Sequence, residues 1–186
     1  GPAFGSFAAV LAQSDEDKVR LESLGAKDVL VTGSVKFDIV PDASQMAAAK
    51  AWLTVLSRPV VLLASTRDGE EAAFLESFKK HPALLAETLV VVVPRHPERF
   101  ERVVELFESA GLKTIRRSTL STAEDLPADI QIVVGDSMGE MSFYCGLASM
   151  TVMGGSFGPF GSQNVVEPAM AGSPVVVGPS IFNFER

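Results

Sequence analysis

The sequence predicts a doubly wound α/β domain built on a mostly parallel sheet, and three observations lead to this class. Short runs of apolar, largely β-branched residues recur along the 186-residue chain, and segments with helical periodicity lie between them. The runs are nearly continuous in apolar residues, as strands buried on both faces of a parallel sheet are. The chain is also 47% hydrophobic, which is sufficient for one domain with a substantial core.

Six apolar runs are predicted as strands of this sheet, and a seventh is predicted as a weaker strand. The six cover residues 29–33, 59–65, 88–94, 130–135, 149–154 and 174–178, and the weaker one covers 112–117. Helices are predicted at 44–56, 69–80, 97–110, 139–147 and 164–171. Helical spacing is clearest in the third of these, where Phe100, Val103 and Phe107 share one face.

The first 24 residues form an amphipathic stretch that is predicted to be helical. We expect residues 1–24 to belong to, or dock on, a preceding domain of a longer protein. Residues 25–186 are then the ligand-binding domain, truncated at its C-terminus, because the final IFNFER stops where a strand-loop-helix pattern is expected to enter its helix. The chain is therefore interpreted as a fragment.

Composition argues against several functional classes. The net charge is −7 and no Lys/Arg run exceeds two residues, so a nucleic-acid-binding surface is not expected, although a local basic pocket is compatible. A single cysteine, Cys145, excludes an internal disulfide, and two histidines, His81 and His96, are too few for a histidine metal site. The apolar runs are too short to span a membrane.

Ligands of such sheets bind outside the carboxyl ends of the strands, so the residues after each strand carry the functional signal. Arg95 and His96 follow one strand and precede Pro97, which suits the first turn of a helix. Arginine grips phosphate or carboxylate with two parallel bonds, and histidine can donate to an anion. The alternative for this pair is a capped surface loop.

The residues after the other strands can be explained either by ligand binding or by a purely structural role. Lys36 follows the first run and either faces the ligand or is a solvated surface residue. The segment Ser65–Glu71 presents a helix N-terminus that either receives an anion or is capped by its own hydroxyls. Asp136–Met141 contains Gly139, which allows close backbone approach to a base, or it is an ordinary helix cap over a core methionine.

The stretch MGGSFGPFGSQNVVEPAM, residues 153–170, follows the fifth strand. A glycine-rich turn into a helix is a general device for binding phosphate, although this one matches neither the Walker pattern nor the dinucleotide fingerprint. Asn164 can cap the helix, and Glu167, about one turn on, can accept hydrogen bonds from a ribose. Alternatively, the two form a capping box. Together these strand ends predict a site for an anionic, nucleotide-like ligand.

Six motifs, in this order, resemble the C-terminal domain of the bacterial Kdo (3-deoxy-D-manno-oct-2-ulosonic acid) transferases: GSVKFD, ASTRDGEE, PRHPERF, VVGDSMGEM, GGS followed by N-x-x-EP, and GPSIFNF. The resemblance runs from about Leu24 to the last residue. It implies a Rossmann-like domain that is the C-terminal half of a GT-B glycosyltransferase. Those enzymes are membrane-associated and inverting, and they transfer Kdo from CMP-Kdo to lipid A precursor in lipopolysaccharide synthesis, at the cytoplasmic face of the inner membrane.

The resemblance also assigns roles to residues. It implies CMP binding by three segments: Arg95 and His96; Met138, Gly139 and Glu140; and Asn164, Val165, Val166 and Glu167. It implies that Lys36 stabilises charge in the transition state. The general base is expected to be a glutamate of the N-terminal domain, which also holds the acceptor site and the membrane anchor. No metal or cofactor is expected, the donor CMP-Kdo being a substrate.

The chain departs from the family pattern at two places. Arg67 stands where the family usually has histidine, and Ser162-Gln163 stand where it usually has Gly-His. Two other functions remain open at this point. One is a different GT-B enzyme or epimerase that uses a UDP-sugar, and the other is a nucleotide-binding domain without catalytic activity.

Overall fold

The computed structural model describes residues 3–34 and 38–183 of the chain. Two compact units are present, Gly1–Ile39 and Val40–Arg186, and each is described by itself. The division therefore follows Ile39, whereas the sequence led us to expect a boundary after residue 24. The reason is that the strand at residues 29–31 pairs with a strand at residues 10–12, which holds both in one unit.

The small unit is a βαβ arrangement of β1 (Val10–Ala12), α1 (Asp15–Ser23) and β2 (Val29–Val31). Its two strands are parallel, and its buried residues are Ala12, Ala26 and Val29. Two predictions are wrong here. The first 24 residues contain a strand as well as a helix, and the run 29–33 joins β1 rather than the main sheet. Leu30 and Val31 of this run are exposed, so it is not buried on both faces.

The large unit contains a six-stranded sheet in the order β5-β6-β4-β3-β7-β8, and every neighbouring pair is parallel. Its strands are β3 (Val60–Thr66), β4 (Leu89–Pro94), β5 (Thr114–Arg116), β6 (Ile132–Val134), β7 (Met150–Met153) and β8 (Val175–Val176). Each predicted run from residue 59 onwards is thus confirmed as a strand, including the weaker one at 112–117.

Helices connect the strands, as predicted. They are α2 (Ala43–Leu53), α3 (Glu70–Lys80), α4 (Pro82–Glu87), α5 (Phe100–Ser109), α6 (Met141–Leu147) and α7 (Val166–Met170). The short helix α4 was not predicted; it begins at Pro82, separated from the end of α3 by one residue. Among the described residues, no helix is both long and apolar enough to cross a membrane.

The core of the large unit consists of two apolar clusters, one on each face of the sheet. Along β3, Val60, Leu62 and Ala64 pack in one cluster with Trp52 of α2 and residues of α6. Val61 and Leu63 alternate with them and pack in the other cluster, with α3 and α5. Because both faces are covered, a strand must be apolar at successive positions, which is why the runs are continuous in sequence.

The strand order identifies a switch point. From β3 the chain adds β4, β5 and β6 on one side, and then returns to place β7 and β8 on the other. In doubly wound sheets the loops on either side of such a reversal diverge and leave a crevice outside the carboxyl ends of the strands. The loops that follow β3, β4, β6 and β7 therefore surround the expected binding position.

Candidate functional site

A cavity of about 140 Å³ opens at the carboxyl ends of β3, β4 and β6. The residues that line it come from three of the segments singled out in the sequence, and include Ser65, Arg95, Met138, Gly139, Glu140 and Tyr144. Parallel strands bring their carboxyl ends to one edge, so residues far apart in the chain meet there. Of the predicted residues, Arg95 and the Met138–Glu140 segment are thus brought together.

Arg95 lies immediately after β4 and is exposed. Its backbone N–H donates to the carbonyl of Thr66 at 3.0 Å, which ties it to the end of β3. Its side-chain Nε donates to Oε1 of Gln163 at 3.2 Å. The guanidinium has further donors that an anion can use. Arg95 therefore links the cavity to the glycine-rich loop after β7.

His96 is half-buried and contacts the loop after β3. Its Nε2 lies 2.9 Å from Nη1 of Arg67. The guanidinium carbon of Arg67 also lies 4.7 Å from the centre of the Phe160 ring, a cation–π distance. Arg67 thus joins three loops at the sheet edge, a role that neither its place in the segment Ser65–Glu71 nor its departure from the family pattern predicted.

The segment after β6 is held from outside by Gln45 of α2. The side-chain Nε2 of Gln45 donates to the carbonyl of Gly139 at 2.8 Å, and its Oε1 accepts from the N–H of Phe143 at 3.1 Å. Gly139 has a φ of +79°, in the left-handed region that favours glycine. Met138 next to it is 67% exposed, whereas Met141 of the same segment packs against the apolar core, as the structural alternative expected of a methionine here.

Glu140 faces the cavity but is already paired. Its Oε1 accepts from Arg117 at 3.2 Å, and its Oε2 accepts from the hydroxyl of Ser137. The Ser137 oxygen is in turn 2.8 Å from the hydroxyl of Tyr144. Burial raises the pKa of the Tyr144 hydroxyl far above its ordinary value, so this group stays protonated. The network fixes Glu140 as a hydrogen-bond acceptor at the cavity wall.

The glycine-rich loop after β7 is organised around a buried carboxylate. Glu70, at the start of α3, is 4% exposed. Its oxygens accept from the backbone N–H groups of Gly155 at 2.8 Å, Phe157 at 3.1 Å and Arg67 at 2.8 Å. A carboxylate of the protein therefore occupies the N–H groups that a phosphate would have used in this part of the loop.

The first glycine of the loop is required by close packing of two strand ends. Ser65 has a φ of +54° at a bulge in β3, and this brings its backbone against β7. A Cβ on Gly154 would lie 2.4 Å from the Ser65 carbonyl oxygen, which no side chain can do without moving backbone. Gly154 thus serves the packing of the strand ends.

Later N–H groups of the loop are also used within the protein. Those of Ser162 and Gln163 donate to carbonyls of the loop itself at 2.8 and 3.1 Å, and that of Gly161 donates to the Ser180 hydroxyl. Among the described residues, the N–H groups of Asn164 and Val165 have no such acceptor. Of the N–H groups discussed here, only those of Asn164 and Val165, at the end of the loop, are thus available to a phosphate.

Asn164 and Glu167 do not form the capping box that was one alternative. The Asn164 side chain accepts from the N–H of Val166 at 3.0 Å, and Glu167 Oε1 accepts from the Ser142 hydroxyl at 2.9 Å. Asn164, Val165, Val166 and Glu167 are all half-buried. The bond to Ser142 connects this segment to α6, which follows the Met138–Glu140 segment.

Two arginines at this edge keep their charge unpaired although the chain is acidic overall. Within residues 3–34 and 38–183, neither Arg67 nor Arg95 has an acidic partner within 4.0 Å, whereas Glu140 pairs with Arg117 and Glu70 accepts from backbone N–H groups. The exposed guanidinium of Arg95 can therefore bind an anion. Lys36, the remaining predicted site residue, lies outside the described residues.

Four side chains that build this site were not predicted from the sequence: Gln45, Glu70, Arg117 and Ser142. Each acts through a partner remote in the chain, since Gln45 bonds Gly139 and Glu70 bonds Gly155. The only local signal is the pair Glu70-Glu71 at the start of a predicted helix, where acidic side chains suit the helix dipole. Bonds between remote residues leave no spacing pattern that could have shown the rest.

The fold is that of the C-terminal domain of a GT-B glycosyltransferase. The chain superimposes with a TM-score of 0.69 on the crystal structure of the C-terminal CMP-Kdo binding domain of WaaA from Acinetobacter baumannii. The two are 36% identical, and the match covers 77% of this chain and 75% of that one. The predicted fold class is thus confirmed.

Two relatives in sequence are named as Kdo transferases. The 3-deoxy-D-manno-octulosonic acid transferase of Bordetella pertussis is 42% identical over 186 residues, 98% of this chain and 43% of that protein. The enzyme of the same name from Haemophilus influenzae is 34% identical, with 97% and 43% covered. The chain spans less than half the length of these relatives.

A family model described as 3-Deoxy-D-manno-octulosonic-acid transferase (kdotransferase) matches residues 1–39. These are the residues of the small unit. The resemblance to the Kdo transferases, first indicated by the six motifs, is confirmed along nearly the whole of this chain.

Proposed function

We propose that this chain is the donor-binding half of an inverting glycosyltransferase that moves Kdo from CMP-Kdo to a lipid A precursor. The observation that carries the proposal is the 36% identity to a CMP-Kdo binding domain over three quarters of the chain. Arg95 at the cavity supports it, because its guanidinium has no acidic partner among the described residues and the leaving group is an anionic phosphate.

Each segment has a chemical task in this proposal. An acceptor hydroxyl attacks the anomeric carbon, its proton passes to a base, and the bond from that carbon to the phosphate oxygen breaks. Negative charge grows on the departing CMP, and Arg95 stands at the cavity with free donors for it. Lys36 is proposed to share this task. We assign no residue of this chain as the base, and no metal or cofactor to the site.

Recognition of the nucleoside is assigned to the other two segments. Glu167 Oε1 is used by Ser142, and its second oxygen can accept from the ribose hydroxyls. The backbone around Met138 and Gly139, held by Gln45, offers fixed donors and acceptors to the edge of a base. The whole enzyme is proposed to act at the cytoplasmic face of the inner membrane, through a domain that precedes the donor-binding one. The small unit is proposed to belong to that domain.

Calorimetric titration with CMP and UMP at one salt concentration tests the proposal. The chain is expected to prefer CMP, and Arg95→Ala is expected to weaken CMP binding about 10- to 100-fold, because a bond to a charged group contributes about 1.5–3 kcal/mol. Arg102→Ala is the matched control, since Arg102 is 77% exposed and pairs with Asp68. A preference for UMP would indicate a UDP-sugar enzyme. Unchanged CMP affinity in the Arg95 variant would refute the assigned site.

A further inference from the structure

Arg67 is held from two sides at the sheet edge. Its Nη1 contacts His96 Nε2 at 2.9 Å, and its guanidinium carbon lies 4.7 Å from the centre of the Phe160 ring. Its backbone N–H is bonded to the buried Glu70 carboxylate. The main chain of Arg67 is therefore fixed, and its guanidinium is held by the imidazole of His96 and the phenyl ring of Phe160, which lie on two other loops.

The contact with His96 determines where the imidazole carries its proton. A guanidinium has only donors, so Nε2 must accept, and the ring is then neutral with its proton on Nδ1. Among the described residues Nδ1 makes no hydrogen bond, and it is not one of their buried unpaired atoms. The Nδ1–H is therefore available to a ligand, and its orientation is fixed by the hydrogen bond between Nε2 and Arg67.

The Phe160 contact keeps the guanidinium in place without neutralising it. An aromatic face attracts a cation through its quadrupole and leaves the charge unpaired. The ring is itself seated closely, because a Cβ on Gly158 would lie 2.9 Å from it. An acid in the position of Phe160 would compete with His96 for the guanidinium, whereas a phenyl ring does not.

We propose that Arg67 is a positioning residue, which holds His96 as the Nδ1–H tautomer so that the ring donates to an anionic group of the ligand. The inference rests on the proposed function only for the identity of that anion, the donor phosphate. The tautomer belongs to the free protein.

Nitrogen-15 NMR of the histidine-labelled chain tests the tautomer directly, at an alkaline pH where imidazole rings are neutral. The chain has only His81 and His96, and His81→Asn assigns the two signals. His96 is expected to show a protonated Nδ1 and an unprotonated Nε2. Arg67→Ala is expected to shift it towards the Nε2–H form, and Arg67→Lys, which retains a donor, to restore part of the difference. Arg102→Ala is the control and is expected to change nothing.

Either of two results would overturn the proposal: a proton on Nε2 of His96 in the wild-type chain, or an unchanged tautomer in Arg67→Ala. Phe160→Leu supplies an independent variant in the glycine-rich loop. It removes the aromatic face but keeps an apolar side chain, so a smaller shift in the same direction is expected. Backbone amide spectra of each variant show that the fold is retained.

A double-mutant cycle on CMP affinity separates positioning from direct contact. Arg67→Ala and His96→Ala are each expected to weaken CMP binding about threefold to tenfold, from the loss of one hydrogen bond. The double variant is expected to lose no more than His96→Ala alone, because Arg67 acts through the ring. Fully additive losses would mean that Arg67 binds the ligand itself, against the proposal. If the wild-type chain does not bind CMP, the proposed function fails, while the NMR result still decides the tautomer.

Discussion

Arginines in two regions of the large unit differ in what surrounds their charge. Between α3 and α5, Arg99 is 13% exposed and pairs with Glu71, which is 2% exposed, at 2.6 Å. At the sheet edge, Arg67 and Arg95 contact a histidine, a phenyl ring and a glutamine, and no acid among the described residues. The Arg99–Glu71 ion pair is largely buried, whereas Arg95 is exposed to solvent.

The difference follows from the cost of desolvation. A buried charge must be paired, so Arg99 also bonds the Thr66 carbonyl at 2.9 Å, and its interactions stay within the protein. An arginine that remains hydrated has no such requirement and keeps its donors for a ligand. Counting arginines near the cavity would therefore overstate its charge, because only those without an acidic partner attract an anion.

The largest effect is expected from breaking the buried pair. Glu71→Ala removes the nearer carboxylate from Arg99, which keeps only a 3.6 Å contact with the exposed Asp68, and it leaves the buried Thr66 hydroxyl without its acceptor. This is expected to cost about 3–5 kcal/mol of unfolding free energy. Urea unfolding measures it. Glu101→Ala is the control, because Glu101 is 69% exposed in its contact with Arg116, and it is expected to change stability by less than about 1 kcal/mol. If Glu71→Ala also lost less than about 1 kcal/mol, the buried ion pair would contribute no more than an exposed one, and the difference drawn between the two regions would be wrong.

An intermediate effect is expected at Glu70, which lies next to Glu71 but holds the glycine-rich loop. Glu70→Gln keeps one acceptor oxygen for three N–H groups, so about 1–3 kcal/mol is expected to be lost. Faster hydrogen exchange at Gly155 and Phe157 should accompany this loss. The exposed Glu76→Gln on the same helix is the matched control. Unaltered exchange at both amides would contradict the role given to the Glu70 carboxylate.

The smallest effect on stability is expected at the open edge. Arg95→Ala removes one exposed hydrogen bond, to Gln163, and should change the unfolding free energy by no more than about 0.5 kcal/mol. Urea unfolding of Arg95→Ala, run in parallel with Glu71→Ala, measures this change. A loss above about 2 kcal/mol would show that Arg95 is structural, and any change in CMP affinity would then report folding.

Prediction from the sequence succeeded where the signal was local. Arg95 and His96 were found because they follow the apolar run 88–94, and Met138 to Glu140 because they follow the run 130–135. It failed for the run at 29–33, whose three paired residues look like a core strand but pair with β1. A short run does not show which partner it has, because pairing is decided by residues elsewhere in the chain.

The sequence alone determined the class of fold, the positions of the six strands after residue 59 and the segments that face the site. Continuous apolar runs and the residues that end them are local properties, set by burial and backbone geometry. Only the tertiary structure decided that Glu70 holds the glycine-rich loop, that Glu71 neutralises Arg99 and that Arg67 meets His96. These pairings depend on distances between separate loops, and the strand order that creates those distances is a property of the whole sheet.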